Sequence, residues 1–454
     1  MYNPLLLPEV REMLDSGDDA GLIEFCTALH PGVVAEVIEG LSNDDIWNVL
    51  SHCDVNSRVQ IFTFFDLPKQ EDLVTTTDRK RVSALLEEMA PDDRVDLLER
   101  LDPKHVDLLL PLIAQAERSD IRKLLSYPEN SAGSIMTTEY ASLPQEITVE
   151  ESLRRLRRIA PDRETIYYVY VLDDQRHLHG FVSLRQLILA KPDAIVADIM
   201  DHDVISVNVN DDQEDVASML GRYDLLAIPV VDDQNCLVGI ITHDDVIDVI
   251  QEEATEDAHR AGAVEPLEDS YLSTPILTIT WKRGIWLLFL FTVAQGISVV
   301  VDSYKEISEH VEWMGTFIAL VIATGGNAGS QSAALVIRTL ALGEAGPSDW
   351  LRIAAREATM GLMFAAVLST LGFFPAWGLQ GWDAAIIVSA TVAIMVMWGS
   401  MIGAMLPIVF KKIGMDPALI SNPLVAAIVD FTGILVYYEF AQFWLTPVVE
   451  TLPH

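Results

Sequence analysis

The sequence predicts a multidomain membrane protein: an all-α N-terminal superhelical domain, an α/β tandem repeat, a connecting acidic helix and a transmembrane domain of five helices. Three observations predict it. Residues 1–270 hold 55 of the 67 acidic and 22 of the 30 basic side chains, whereas the rest of the 454-residue chain holds only 12 acidic and 8 basic ones. That second part contains five long apolar stretches, and the acidic part contains two copies of one strand-turn-strand pattern. We place the boundaries at 1–130, 131–197, 198–250, 251–270 and 271–454.

The first 130 residues carry apolar positions at helical spacing, broken by short Pro and Asp turns. EGLSNDD from Glu39 recurs as EEMAPDD from Glu87, a period near 48. Stacked short helices are expected. So acidic a surface repels nucleic acid and anionic lipid and suits cations. MYNPLLLPEVREMLDSGDD lacks the basic head and long apolar run of a signal peptide, so this half is expected to stay in the cytosol. Cys26, Cys53 and Cys236 are far apart in sequence, with no CxxC, which argues against zinc and a disulfide framework.

Over residues 134–255 the chain repeats itself. SIM at Ser134 returns as DIM at Asp198, and YYVYVLDDQRHLHGFVSL from Tyr167 returns as LAIPVVDDQNCLVGIITH from Leu226. This pair resembles tandem CBS domains, the cystathionine-β-synthase module, a family that binds adenine nucleotides or ions and regulates attached channels and enzymes. In nucleotide-binding members a Thr or Ser followed three residues on by Asp holds the ribose. Thr242 and Asp245 match that pattern, but Ser183 and Gln186 in the first copy do not, so the resemblance implies at most one ATP site per chain.

The segment after the second copy, THDDVIDVIQEEATEDAHRAGA, strings Asp245, Asp248, Glu252 and Glu256 at spacings of 3, 4 and 4. These acids fall on one helix face, where like charges oppose the helix by a few tenths of a kcal/mol per pair. Bound cations would relieve that repulsion. The same helix leads into the first membrane span.

The candidate spans are Gly284 to Val301, Trp313 to Ile337, Ala358 to Trp382, Ala384 to Phe410 and Pro417 to Tyr438. Each is long enough for ~30 Å of hydrocarbon. With the N-terminus inside, the cytosolic ends hold Lys282, Arg283, Arg338, Arg352, Arg356, Lys411 and Lys412, against Lys305 alone outside. The positive-inside rule then places the C-terminus outside the inner membrane, in contact with lipid along every span.

Asp430 lies well inside the last span. An ionised carboxylate there costs roughly 2.5–3.5 kcal/mol on insertion scales, and no span offers a mid-membrane Lys, Arg or His to pair with it. It needs a cation on a wet pathway, or a proton. Upstream, Pro407, Pro417 and Pro423 interrupt the backbone, and Asn422 precedes the last of them, so unpaired carbonyls and an amide oxygen accompany the acid. The same Asp416-Pro417 and Asn422-Pro423 pairs also read as helix caps. Oxygen ligands with a single acid favour a hard cation, and sparse ligation favours magnesium, which keeps its waters. In the second span Gly325 and Gly329 have small-xxx-small spacing for close helix approach, which would make Asn327 and Gln331 interhelical hydrogen-bonders; the alternative makes them pore groups.

Together these features resemble the MgtE magnesium transporters and channels. The carrying residues are TED at Thr255, GA at Gly262, GNAGSQSA from Gly326, GAMLP from Gly403 and DPALISNPL from Asp416, followed by Asp430. The resemblance implies a homodimeric, non-enzymatic pore in which Asp430 binds hydrated Mg²⁺, Asn422 contributes nearby and Asp416 lies at the cytosolic mouth. It makes the connecting helix a plug whose Glu253, Glu256 and Asp257 bridge to the membrane domain through Mg²⁺. Sensor acids are implied at Asp212, Glu214, Asp224, Asp245 and Asp248, and in the N-terminal domain at Asp92 and Asp96.

Overall fold

A computed structural model describes residues 5–449, which divide into two compact units, 5–250 and 251–449. Each is described by itself.

The first unit opens with helices α1 (Leu7–Ser16), α2 (Asp19–Ala28), α3 (Pro31–Ile38), α4 (Asn43–Ser51), α5 (Val55–Thr63), α6 (Leu67–Thr76), α7 (Arg79–Glu88), α8 (Pro91–Arg100), α9 (Pro103–Leu109) and α10 (Gln115–Leu124). From α1 to α10 the helices begin every 12 residues, at 7, 19, 31 and so on to 115, so a helix pair spans 24 residues. The expected period near 48 spans two of these units. It was visible only at alternate copies because the turn after α5 reads Phe64-Phe65-Asp66, without the acid-rich turn of its neighbours.

Burial follows the same period. Val37, Ile61, Leu85 and Leu109 are buried in turn, as are Leu41, Phe65, Met89 and Ile113. The last three of these turn residues have their carbonyls capped by a long polar side chain five residues on: Gln70 Nε2 donates to Phe65 O (2.7 Å), Arg94 to Met89 O (2.5 Å) and Arg118 to Ile113 O (2.9 Å). A carbonyl freed at a buried helix end must be satisfied, and the repeat supplies its own donor. Cys26 and Cys53 are both buried, and the Cys53 thiol donates to Val49 O at 3.6 Å.

The tandem repeat folds twice into the same three-stranded sheet. In the first, β1 (Tyr140–Pro144) runs parallel to β2 (Thr165–Leu172), which is antiparallel to β3 (Leu178–Ser183); α11 (Val149–Ile159) crosses from β1 to β2 and α12 (Leu184–Leu189) follows. After α13 (Val196–Ile199), the second sheet repeats this order with β4 (Val207–Asn208), α14 (Gln213–Tyr223), β5 (Ala227–Val231) and β6 (Leu237–Thr242). The two β-turns meet, Leu178 N donating to Asn235 O and Leu237 N to Arg176 O, both at 3.0 Å. Helix α15 (His243–Ala261) then runs from the first unit into the second.

The second unit holds five helices long and apolar enough to cross a membrane: α16 (Ile276–Ser303), α18 (Met314–Ala341), α19 (Trp350–Gln380), α20 (Trp382–Lys412) and α21 (Asn422–Val449), with the short α17 (Lys305–His310) after the first. A single residue, Gly381, separates α19 from α20 at φ +87°, a conformation only glycine takes readily. Several boundaries differ from expectation: the first helix starts at Ile276, eight residues early, and the last ends at Val449, eleven residues late. The last span starts at Asn422, because Pro417–Leu419 forms a separate 3₁₀ turn that Asp416 caps at 2.7 Å through Ala418 N. Asp430 is therefore about 12 Å into its helix. The third helix starts eight residues earlier than the sequence suggested and takes Glu357 into the span.

Helices α18 and α20 touch backbone to backbone. A Cβ on Gly399 would run into the carbonyl oxygen of Gly325, and one on Gly403 into that of Gly329. The small-xxx-small spacing of α18 thus meets a matching pair on α20. Asn327 and Gln331 do not bond across helices as expected: both are exposed and make no hydrogen bond among the described residues. The bonds come instead from Ser330, whose hydroxyl donates to Asn422 O (3.2 Å), and Ser332, which donates to Glu357 Oε2 (2.7 Å).

Candidate cation sites

The membrane site is built by α18 and α21. Asp430, one residue past buried Val429, turns an oxygen toward Gly326; a Cβ there would stand 3.0 Å from Asp430 Oδ1 and near Ala426. Glycine at 326 thus leaves room beside the carboxylate. Two turns nearer the start of α21, the Asn422 side-chain oxygen is buried and has no hydrogen-bond partner. A buried acceptor without a donor is unfavourable unless a ligand or water completes it, so the donor set fits a hard cation.

A second acidic group forms in the first unit. Asp92 and Asp93 from the first turn of α8, Glu164 before β2, and Asp244, Asp245 and Asp248 from the start of α15 come close enough to act on one another. Burial, then the charges of Asp245 and Asp93, hold Asp92 well above the usual carboxylate range. Partial desolvation and the same acidic neighbours raise Asp93 to about 6 and Glu164 to about 7. Desolvation also raises Asp245, against the pull of hydrogen bonds from Thr242, and raises Asp248. One Asp92 oxygen is buried without a partner. None of these shifts is attributed to a basic side chain.

Other expected residues lie elsewhere. Asp96 is exposed one turn beyond Asp92. Asp212 caps α14, accepting from Glu214 N at 2.9 Å, and Asp224 ends that helix at φ +53°; the three acids of this group are exposed and spread along one helix. The Thr242 hydroxyl lies 2.6 Å from Asp245 Oδ2 and 2.5 Å from Asp244 Oδ1, and its N–H also donates to Asp245. Ser183 and Gln186 make the equivalent capping box in the first copy.

At the far end of α15, Glu256 and Asp416 are brought together, through Arg260. The guanidinium pairs with Glu256 one turn back and with Asp416 Oδ2. Asp257 lies alongside; desolvation and the Asp416 charge raise it, against Arg260 and Arg338. Glu253 is one turn earlier on the same helix. Sequence reasoning missed Arg260, which reads as an ordinary basic residue at a helix C-terminus, and Glu357, which it left just outside a span. Among the described residues no three His, Cys, Asp or Glu side chains could hold a metal ion directly.

Comparison with known proteins agrees with this architecture. The family model described as MgtE, divalent cation transporter, matches residues 318–440; the MgtE intracellular N domain matches 29–130; and CBS domains match 132–193 and 196–252. A magnesium transporter MgtE from Thermus thermophilus is 36% identical over 450 residues, covering 98% of this chain and 99% of its own. The Enterococcus faecalis magnesium transporter MgtE is 35% identical over 331 residues, 72% of each chain. Among solved structures, the cytosolic domain of the Mg²⁺ channel MgtE in complex with ATP matches with a TM-score of 0.51 at 37% identity, over 54% of this chain and all of that one. The fold, the succession of domains and near full-length identity place this chain in the MgtE family of magnesium transporters.

Proposed function

We propose that the chain is a magnesium-selective channel or transporter of the cytoplasmic membrane, closed by cytosolic Mg²⁺ at its acidic regions. The observation that carries the transport reading is Asp430, an intramembrane carboxylate with space beside it at Gly326 and the unpaired oxygen of Asn422 two turns away. One acid and neutral oxygens would hold a hydrated Mg²⁺ without stripping it. A C₂ dimer would supply a second Asp430 to the same axis. The basic residues at the cytosolic ends support an N-terminus inside and a C-terminus outside.

The closing reading is supported by the acids around Asp92 and Asp245. Several carboxylates crowd together without a base, so a cation that binds between them stabilises the packed arrangement over an opened one. Asp212, Glu214, Asp224, Asp96 and Glu253 would add weaker, more solvated sites. ATP is a second ligand of this half, supported by the relative solved with it. Here Thr242 and Asp245 are engaged with each other, and a groove of about 510 Å³ lined by Tyr168, Phe181, Ser183, Arg185, Gln186 and Leu189 offers more room.

Magnesium flux into proteoliposomes tests the first reading. Asp430→Ala should lower it roughly tenfold or more, the effect of losing about 1.4 kcal/mol of ion stabilisation. Undiminished flux would remove Asp430 from the pathway. Raising Mg²⁺ on the cytosolic face should suppress flux in the wild type; a flux indifferent to it would sink the closing reading while leaving transport intact.

A further inference from the structure

Glu357 is a buried acid that neither the transport reading nor the closing reading uses. It lies two turns into α19, is only 5% exposed and accepts a hydrogen bond from Ser332 Oγ of α18 at 2.7 Å. Three helices enclose it. One turn on, a Cβ at Gly361 would stand 3.7 Å from Ser400 Cβ of α20. One turn back, Ile353 packs on Val336, Leu340, Ala404 and Ile408, which closes the carboxylate off from the start of the helix. No basic side chain pairs with it among the described residues: Arg356 is exposed, and Arg352 pairs with Asp349 at 3.2 Å.

Ser332 also relates Glu357 to the ion pathway. Two positions before it on α18, Ser330 donates to Asn422 O at 3.2 Å. Two residues turn a helix by about 200°, so Asn422 and the Glu357 carboxylate lie on opposite sides of α18, about 10 Å apart across one helix diameter. The wall between them is thin: Ala328, Gly329 and Ala333 add little bulk and no polar side chain.

We propose that Glu357 is a fixed negative charge in the wall of the pathway, which attracts the permeating cation through α18 without touching it. The proposal rests on reading Asp430 and Asn422 as the pathway. A hydroxyl donor orients a carboxylate but does not neutralise it, and an ionised acid inside a span is costly unless a counter-charge is near. Here the counter-charge is the ion in transit. Charges separated by protein rather than water are weakly screened, and the attraction is twice as strong for a doubly charged ion as for a singly charged one at the same distance. Asp430 acts at close range, whereas Glu357 adds charge without asking the ion to shed water.

Magnesium flux through the full-length protein in proteoliposomes, with Mg²⁺ kept low on the cytosolic face, tests this. Glu357→Gln keeps the shape and an acceptor for Ser332 but removes the charge. It should raise the Mg²⁺ concentration for half-maximal flux about tenfold and leave the maximal flux within about twofold of wild type. Glu357→Asp and Glu357→Asn form a second pair, matched in size and different only in charge, and the Asn variant should need about tenfold more Mg²⁺ than the Asp variant. The second pair decides the matter if the Gln variant fails to assemble. Equal half-saturation in the charged and uncharged members of a pair would overturn the proposal. So would a fall in maximal flux alone, which would assign the residue to packing. Undiminished flux in Asp430→Ala would sink the pathway reading itself, whereas flux lost in Asp430→Ala with half-saturation unaltered in Glu357→Gln would sink the wall charge alone.

Discussion

The acids at the two ends of α15 are treated in opposite ways. At its start, Asp244, Asp245 and Asp248 face Asp92, Asp93 and Glu164, and every charge that shifts them is negative. At its end, Glu256 and Asp416 share Arg260, with Arg338 near enough to act on Asp257. One helix therefore carries acids shifted only by other acids at its start and acids paired with an arginine at its end. The difference teaches that counting carboxylates does not locate a cation sensor; what matters is which of them the chain leaves uncompensated.

The sharpest way to break this contrast is to give the first end what the second has. Asp248→Arg puts a guanidinium among the uncompensated acids, so limited proteolysis of the first unit in EDTA should slow by about tenfold, toward the rate wild type shows with Mg²⁺. Unchanged cleavage would mean that the acids do not oppose packing.

A smaller effect should come from pH. Glu164 and Asp93 have pKa values raised in the folded protein to about 7 and about 6 from ordinary values near 4.5 and 3.8. The folded arrangement thus binds more protons than an opened one between those limits, and its stability falls as pH rises through the folded values. In EDTA, thermal unfolding of the first unit should move to lower temperature between about pH 5 and pH 7.5, and Mg²⁺, which favours the ionised forms, should flatten the trend. A trend of the opposite sign would contradict the clustering. The least effect is expected at the other end: Asp257→Asn should change exchange of the α15 C-terminus by less than about threefold, because Arg260 and Arg338 act against the Asp416 charge beside it without cancelling it.

Much of this was legible in sequence. Five apolar stretches gave five helices because length and lack of charge are properties of each stretch alone. Ends were harder: Glu357 was left outside its span because a charge looks like a boundary, whereas Ser332 on a neighbouring helix satisfies it. The 24-residue period was halved from view by one divergent turn. Of the candidate site, Asp430 and Asn422 could be read from their cost in a membrane. The convergence of Asp92 on Asp245, and of Arg260 on Asp416, joins residues more than 150 positions apart. No local pattern encodes such a meeting.

The glycine seam between α18 and α20 has a mechanical meaning. Where two backbones touch at Gly325, Gly329, Gly399 and Gly403, neither rod can rotate or slide without lifting off the other, and any side chain inserted there acts as a wedge. These two helices behave as a single beam. Helix α16, by contrast, has no buried residue.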